Sequence, residues 1–233
     1  MNKEKKNIEN LSLEALEIHK SFYHPVKVQV LKGISLKVKK GESIAIMAAS
    51  GEGKSTLLHI LGSLEPSCKG SLYIAKKEVS KSNSSSIRNH HIGFIFQTYN
   101  LLENYTSLEN IIMPARIARK KISKNSEIWE KALFLLETVG LQNRAHFHTK
   151  LLSGGEKQRI AIARAFCNDP EIILADEPSG NLDHSTSLKI HELLLSCTKN
   201  NNKSLIVATH DRELAKLCDR CLFLQEGKII ERL

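Results

Sequence analysis

The sequence predicts an α/β fold in which helices cover a mainly parallel sheet. Short apolar runs suited to buried strands, such as 43–48 and 172–175, alternate with segments whose apolar residues recur at helical spacing. This alternation is typical of parallel sheets, because parallel strands are joined by crossover helices. Two further features are a β-rich opening and a long helical stretch between residues 107 and 139. We therefore expect a β-rich N-terminal part and a helical insertion around a parallel core.

The first half of the chain supplies the opening strands and the insertion. Alternating patterns at 13–19 and 26–38 lead into the apolar strand 43–48, and a glycine-containing turn joins this strand to a helix over 55–64. The serine-rich segment 80–89 is predicted to be a surface loop. Residues 107–139 are predicted to be helical, with an apolar face that includes Ile111, Ile112, Ile117, Ile122, Ile128, Leu133, Leu136 and Val139.

The second half returns to the α/β alternation. Predicted helices and predicted strands follow one another at 154–166, 171–175, 185–198, 204–209 and 212–217, and two strands close the chain at 221–225 and 228–230. This order favours one compact α/β core over a repeat architecture.

Composition narrows the class of protein. The 233 residues are 41% hydrophobic and 25% charged, as in ordinary globular chains. Apolar runs such as 172–175 are far shorter than the roughly 20 residues that span a bilayer, and the N-terminus lacks the apolar core of a secretory signal, so we expect a cytoplasmic protein. The net charge of +9 permits nucleic acid, anionic lipid or an acidic protein as partner, but a solvated basic surface explains Lys3, Lys5 and Lys6. The five scattered cysteines predict neither a metal site nor a redox site.

A near match to the phosphate-loop pattern GxxxxGK[ST] lies between the strand at 43–48 and its helix. Gly51 and Gly53 let the backbone curl so that N–H groups face phosphate oxygens, and the helix adds its positive dipole end. Lys54 would reach the β- and γ-phosphates, and the Ser55 hydroxyl would coordinate Mg²⁺. The predicted nucleotide-binding run comprises Ala48, Ala49, Ser50, Gly51, Glu52, Gly53, Lys54, Ser55 and Thr56.

Ala48 occupies the position of the first glycine in that pattern. A positive φ at this position would cost about 1 kcal/mol for a residue with a Cβ, whereas a negative φ would cost nothing. We expect a negative φ at Ala48 and near-normal nucleotide binding.

Two carboxylates follow the apolar strand at 172–175. Asp176 would hold the Mg²⁺ shell, directly or through water, and Glu177 would be the general base that orients and deprotonates the attacking water. A strand end with solvated acids also produces an Asp-Glu pair. The interpretation therefore depends on the other motifs in the chain.

A second predicted anion site lies in the segment LSGGEKQR, at 152–159. Ser153 is a good N-cap, and Gly154 and Gly155 expose backbone N–H groups at the start of a helix. A single triphosphate needs only one such cradle. We therefore expect the second cradle to serve a nucleotide that is held by another copy of the chain.

The segment LSGGEKQR is similar to the signature motif of the ABC ATPase family, and the resemblance covers nearly the whole chain from about Leu13. It implies an ABC cassette, that is, a phosphate-loop ATPase core of mainly parallel sheet with an N-terminal antiparallel β subdomain and a helical insertion. The implied organisation is a single domain over 11–233 with a helical subdomain at 98–168, preceded by a polar tail at 1–10.

The resemblance implies roles for further residues. Phe22 in HKSF would stack on adenine, with Tyr23 as the alternate, although an aromatic residue there could also belong to the core. Gln97 in FIFQ would reach the Mg²⁺ and the water and couple the sheet to the insertion. His210 in VATHD would contact the γ-phosphate and either Glu177 or the water. The segment 179–183 resembles the D-loop.

The family mechanism then implies the partners. Two copies sandwich two ATP molecules with Mg²⁺, each ATP lying between the phosphate loop of one copy and the signature of the other. ATP binding closes the dimer, hydrolysis reopens it, and the insertion transmits the motion to separate integral membrane subunits. The implied location is peripheral, at the cytoplasmic face of the inner membrane, and no nucleic-acid partner is expected.

Three segments, 55–66, 92–114 and 174–183, resemble the branch that includes lipoprotein-release, macrolide-export and cell-division ATPases. The sequence of residues 107–114 favours the lipoprotein-release ATPases. A macrolide exporter of this kind would carry its own membrane part. The cell-division ATPases share the catalytic motifs, so those motifs do not exclude them. Soluble ABC-type ATPases of chromosomes or ribosomes fit less well, because the chain has neither a long coiled coil nor a second cassette. A regulatory module without turnover leaves Glu177 and His210 unexplained, and a plain kinase leaves the signature unexplained.

Overall fold

The computed structural model describes residues 10–23 and 25–230. In chain order, the described strands are β1 (Leu11–Tyr23), β2 (Lys27–Lys39), β3 (Ser43–Met47), β4 (Lys69–Ile74), β5 (Lys77–Glu78), β6 (Ile92–Ile95), β7 (Ile172–Asp176), β8 (Ser204–Thr209), β9 (Arg220–Gln225) and β10 (Lys228–Ile230). The described α-helices are α1 (Lys54–Leu61), α2 (Ser84–His91), α3 (Ser107–Ile117), α4 (Glu127–Thr138), α5 (Gly154–Ala165), α6 (His184–Asn200) and α7 (Arg212–Leu217).

The strands form two sheets. The smaller sheet is antiparallel with the order β2-β1-β4-β5, and the larger has the order β10-β9-β3-β8-β7-β6. In the larger sheet, the neighbours from β9 to β6 pair in parallel, and only β10 pairs antiparallel. This architecture confirms the expected parallel core with an antiparallel β part at its N-terminal side.

The larger sheet is buried on both faces. On β7, Ile172 and Leu174 pack into a core shared with the antiparallel sheet and α1, whereas Ile173 and Ala175 face a second core. That second core contains the apolar faces of α3, α4, α5 and α6. Because successive side chains of a strand point to opposite faces, a strand covered on both sides must be apolar throughout. This explains the continuous apolar runs in the sequence.

Helices α3, α4 and α5 pack against one another in the helical insertion. Thr106 caps α3 and Ser126 caps α4, each accepting a hydrogen bond from a backbone N–H of the first turn. Residues 118–126 separate the two helices, and Ile117 at the end of α3 is 67% exposed, so its expected place on the apolar face is wrong. Among the described residues, no helix has the length and apolar character needed to cross a membrane.

The expectation of a surface loop at 80–89 is wrong, because α2 begins at Ser84. Asn83 Oδ1 accepts a hydrogen bond from Ser80 N at 2.8 Å, and Asn83 Nδ2 donates to Glu78 O at 2.9 Å, which turns the chain into the helix. Ile87 is 3% exposed and packs into the core beside α1. One buried residue in a polar segment produces no periodicity, so the pattern did not reveal the helix. Strand β4 was also not predicted from the sequence.

Ile87→Ala is expected to lower the free energy of unfolding by about 2–4 kcal/mol, because it leaves a cavity in this core. The matched variant Ile117→Ala removes the same atoms from a side chain that is 67% exposed, and it is expected to change stability by less than about 0.5 kcal/mol. Urea unfolding of both variants measures the difference. Equal losses in the two variants would contradict the packing of α2 described above.

Candidate functional site

The loop between β3 and α1 contains two glycines in the left-handed conformation. Gly51 and Gly53 have φ of 85° and 96°, in the left-handed region that favours glycine. A Cβ on Gly53 would also lie 2.4 Å from Val30 Cγ1, so the close approach of β2 independently requires glycine there. Lys54 Nζ donates to the carbonyl oxygens of Ala48 at 2.8 Å and Ala49 at 3.3 Å. The lysine therefore lies over its own loop.

Ala48 occupies the position where the phosphate-loop pattern has its first glycine. Its φ is not positive, as was expected for this alanine from the sequence. Its side chain is partly buried against the core that the parallel sheet shares with the antiparallel sheet. The alanine therefore fits this loop without backbone strain.

The loop forms one wall of a cleft of about 590 Å³ at the carboxyl edge of the parallel sheet. Gln97 follows β6, Glu177 follows β7, and His210 follows β8, so the side chains converge because parallel strands end at the same edge. The residues that line the cleft are Ser50, Gly51, Gly53, Lys54, Ser55, Thr56, Gln97, Glu177 and His210. The structure thus brings together residues that are far apart in the sequence.

The Glu177 carboxylate is held in place by the end of β8. Its Oε2 lies 2.9 Å from His210 Nδ1, and it accepts hydrogen bonds from Thr209 Oγ1 at 3.3 Å and from His210 N at 3.4 Å. Its Oε1 lies 3.9 Å from Lys54 Nζ. The Glu177 side chain is only 13% exposed, whereas that of His210 is 71% exposed. One carboxylate oxygen is therefore anchored, and the other faces the cleft.

The backbone of Glu177 has φ of 44°, in the left-handed region. Residues with a Cβ rarely adopt this conformation. The Glu177 N–H donates to Ala208 O at 2.9 Å, which extends the pairing of β7 with β8 by one residue. This unusual conformation follows directly after the last residue of β7 and orients the carboxylate towards the cleft.

Asp176, the last residue of β7, lies behind the cleft and is 7% exposed. Burial raises the pKa of its carboxyl group, and hydrogen bonding with the Ser55 side chain opposes this shift. Its Oδ1 is buried, and no described residue hydrogen-bonds to it. A buried carboxylate oxygen without a donor beside a serine hydroxyl fits a hard cation such as Mg²⁺. No described group of three His, Cys, Asp or Glu residues could hold a metal.

Gln97 is tied to the segment that follows Glu177. The Gln97 carbonyl accepts a hydrogen bond from Asn181 Nδ2 at 3.1 Å. The Gln97 Nε2 atom lies 3.3 Å from the place where Gly180 would carry a Cβ. Segment 179–183 therefore holds Gln97 beside the cleft.

The signature segment begins α5 with a capping box. Ser153 Oγ accepts from Glu156 N at 3.3 Å, and Glu156 Oε2 accepts from Ser153 N at 2.9 Å. The Ser153 backbone hydrogen bond is the main cause of a lowered pKa at Glu156, with a further hydrogen bond from Arg144. Ser153, Gly154 and Gly155 do not line the cleft that contains Lys54. Within one chain, the two predicted phosphate cradles are thus separate.

Phe22 also lies outside the lining of the cleft. It pairs with Val28 on the hairpin of β1 and β2 and is 43% exposed, so it does not belong to the core. Lys20 Nζ lies 5.1 Å from the centre of its ring. The alternate aromatic residue, Tyr23, is 71% exposed.

Two residues that support this cluster were not predicted from the sequence. Thr209 Oγ1 donates to Glu177 and accepts a hydrogen bond from Asp211 N at 3.0 Å. His191, on α6, is 1% exposed, and its Nε2 lies 2.7 Å from Ser179 Oγ and 3.8 Å from Asp211 Oδ2. Thr209 could have been found from its position just before His210. His191 gave no signal, because a histidine on a helix is usually structural.

Comparisons with known proteins point to one family. The ABC transporter family model matches residues 31–180. The lipoprotein-releasing system ATP-binding protein LolD of Protochlamydia amoebophila is 58% identical over 222 residues, which cover 95% of this chain and 97% of that relative. LolD of Legionella pneumophila (strain Paris) is 42% identical over 96% of this chain and 99% of its own length.

Solved structures show the same architecture. The ATP-binding cassette MJ0796, solved as a dimer in a post-hydrolysis state with ADP and phosphate, superposes with a TM-score of 0.85 at 34% identity. The superposition covers 94% of this chain and 98% of that one. The chain therefore belongs to the ABC transporter family, as an ATP-binding protein of the LolD type.

Proposed function

We propose that this chain is the ATP-hydrolysing subunit of an ABC transporter that drives release of lipoproteins from the inner membrane towards the outer membrane. The observation that carries the proposal is the convergence of Lys54, Gln97, Glu177 and His210 on one cleft. The substrate class is supported by the lipoprotein-releasing relatives, which match over nearly their whole length.

ATP would bind with its triphosphate along the loop after β3. The N–H groups of Ala49, Ser50, Gly51, Glu52 and Gly53 would face the phosphate oxygens, as they do in phosphate loops generally. Lys54 Nζ would exchange its bonds to the loop carbonyls for the β- and γ-phosphates. Thr56, at the start of α1, would add a further contact to the phosphates.

The Mg²⁺ site would comprise Ser55, Asp176 and Gln97. The buried Oδ1 of Asp176 and its contact with the Ser55 side chain support this assignment. Bound Mg²⁺ would neutralise the charge of the β- and γ-phosphates. Gln97 would reach this shell from the end of β6, and Asn181 holds its backbone in place.

Hydrolysis would depend on the anchored carboxylate of Glu177. With Oε2 held by Thr209 and His210, Oε1 remains to orient a water and accept its proton. His210, which is largely exposed, would contact the γ-phosphate from the same strand end. Lys54 would stabilise the negative charge on the phosphates during the reaction.

A second copy of the chain would complete each site. Ser153, Gly154 and Gly155 do not line their own chain's cleft, which supports their placement at the ATP of the other copy. The cassette MJ0796 was itself solved as a dimer. Phe22, exposed on the hairpin of β1 and β2, would stack on the adenine.

The membrane partners would be separate integral subunits of the LolC and LolE kind. We propose residues 11–233 as one ABC domain with a helical subdomain at 98–168 that contacts those subunits. The chain would then lie peripherally at the cytoplasmic face of the inner membrane, without a nucleic-acid partner.

Reconstitution tests this function. The chain would be placed in proteoliposomes with its membrane subunits and a labelled lipoprotein, and lipoprotein release would be measured with ATP. ATP-dependent release that is absent with the Glu177→Gln variant supports the proposal. ATP hydrolysis that neither responds to lipoprotein nor releases it would contradict the transport assignment, while leaving the ATPase assignment intact.

Ala48→Gly is expected to change the Kd for ATP by less than about twofold, because Ala48 has no positive φ that a glycine could relieve. Fluorescent-nucleotide titration of the two proteins measures the change. Gly53→Ala is the contrasting variant, since its Cβ would lie 2.4 Å from Val30 Cγ1, and it is expected to weaken binding more than tenfold, roughly 1.4 kcal/mol. Severalfold tighter ATP binding by Ala48→Gly would contradict the geometry of the loop.

A further inference from the structure

A partly buried arginine on α5, Arg164, contacts the segment that follows Gln97. Arg164 Nη1 donates to Asn100 O at 2.5 Å, and Arg164 Nη2 donates to Tyr99 O at 2.7 Å. Burial lowers the pKa of this guanidinium to about 10, and no described carboxylate opposes that shift. The guanidinium is therefore partly buried and pairs with two backbone carbonyls.

The two carbonyls belong to an unfavourable turn. Tyr99 and Asn100 have φ of 62° and 48°, so two consecutive residues with a Cβ are left-handed. Within the turn, Tyr99 N donates to Phe96 O at 3.1 Å and Asn100 N donates to Thr98 O at 2.7 Å. These local bonds leave the carbonyls of Tyr99 and Asn100 free for the planar fork of a guanidinium, which donates in two fixed directions. Arg164 therefore stabilises this backbone conformation.

The same turn touches both ends of α5. A Cβ on Gly154, the first residue of α5, would lie 3.1 Å from Tyr99 Oη, whereas Arg164 is in the last turn of the helix. Gln97 lies just before the turn and lines the cleft that contains Lys54. The turn thus links a residue of this chain's cleft to the signature helix.

We propose that Arg164 is a positioning residue that couples Gln97 to the signature helix α5 by holding the Tyr99–Asn100 turn in its left-handed form. This inference rests on the proposed two-copy site, in which Gln97 serves one ATP and Gly154 serves the other. Arg164 touches neither ATP, because it lies in the groove between the sheet and the helical insertion. Its loss changes turnover, while ATP binding by the loop at Lys54 persists.

Arg164→Lys tests the fork, because lysine keeps the charge but cannot donate in two fixed directions from one planar group. The matched control is Arg88→Lys, which changes another arginine of the same groove, one that donates to Ser63 O at 2.7 Å. Arg164→Lys is expected to lower kcat about tenfold with the KM for ATP changed less than about twofold, and the control is expected to change neither by more than about twofold. An unchanged kcat in Arg164→Lys would overturn the proposal.

A double-mutant cycle separates positioning from a general structural role. Adding Arg164→Lys to the Gln97→Ala variant is expected to lower kcat by less than about twofold, because Gln97, the residue that Arg164 positions, is already absent. Asn100→Gly is expected to restore the kcat of Arg164→Lys to within about threefold of the wild type, since glycine adopts a positive φ freely. A full, independent tenfold loss in the cycle, together with no rescue by glycine, would overturn the proposal.

Hydrogen exchange gives a readout that needs no hydrolysis. The amides of residues 97–101 are expected to exchange at least about fivefold faster in Arg164→Lys than in the wild type, without nucleotide. If Arg164→Lys does not fold, the same hydrogen-exchange measurement is made on Arg164→Gln instead. Unchanged exchange in the variant would overturn the inference, whereas absent ATPase activity in the wild type would count against the proposed function alone.

Discussion

Glu177→Gln is expected to slow ATP hydrolysis by about 10³-fold while ATP binding is retained. The amide oxygen of glutamine can still accept the hydrogen bonds from Thr209 Oγ1 and His210 N that anchor Glu177. The remaining amide nitrogen cannot accept a proton from water. The loss therefore falls on the chemical step, and single-turnover kinetics with a separate titration of ATP binding would measure both effects.

Glu171→Gln is the matched control for this experiment. Glu171 directly precedes β7, and its Oε1 lies 3.1 Å from His91 Nδ1, at the opposite end of the strand from the cleft. The control is expected to leave kcat within about twofold of the wild type, as for surface substitutions away from a site. A Glu177→Gln enzyme with more than a tenth of wild-type turnover would exclude Glu177 as the base.

Mixing two inactive variants is expected to restore ATP hydrolysis. Lys54→Ala removes the cation of the phosphate loop, and Gly154→Asp places a negative charge where the signature would face a phosphate. An acidic residue in the first turn stabilises a helix, so Gly154→Asp should leave α5 folded. Its Cβ needs only small shifts, since the nearest atoms would be Tyr99 Oη at 3.1 Å and Leu182 Cδ2 at 3.3 Å.

In a mixed dimer, one site combines the intact loop of one copy with the intact signature of the other, and the second site carries both changes. Random pairing of equal amounts makes half of the dimers mixed, so about a quarter of the wild-type ATPase activity is expected if the sites act independently. Each variant alone is the control and is expected to be inactive. Failure of the mixture to recover any activity, with mixed dimers verified by mass, would contradict the sharing of sites between copies.

The parallel core could be predicted because a strand that is buried on both faces has a continuous apolar run in the sequence. Strands β7 and β8 have continuous apolar runs between their ends, since Ile172 and Ile206 face one core while Ile173 and Leu205 face the other. The cleft could be predicted because its residues follow such strands directly or lie in the glycine loop. The roles of these residues remain predictions until they are tested.

Features that depend on one contact could not be predicted. Helix α2 follows a turn at Asn83 and has a single buried residue, Ile87, which is too little to create a helical period. Ile117 fits the apolar spacing of α3 but lies at its exposed end. The hydrogen bonds of Arg164 to Tyr99 and Asn100 join parts of the chain that are distant in sequence. The left-handed turn at these two residues contains no glycine, so the sequence does not indicate it.

The left-handed backbone at Glu177 sets thermal stability against catalytic turnover. A φ of 44° is unfavourable by about 1 kcal/mol for a residue with a side chain and free for glycine. Backbone conformation alone therefore favours glycine at this position, and glycine cannot accept a proton. Selecting variants of this protein for thermal stability alone would tend to replace Glu177 with glycine. The selected protein would be expected to have lost ATP hydrolysis.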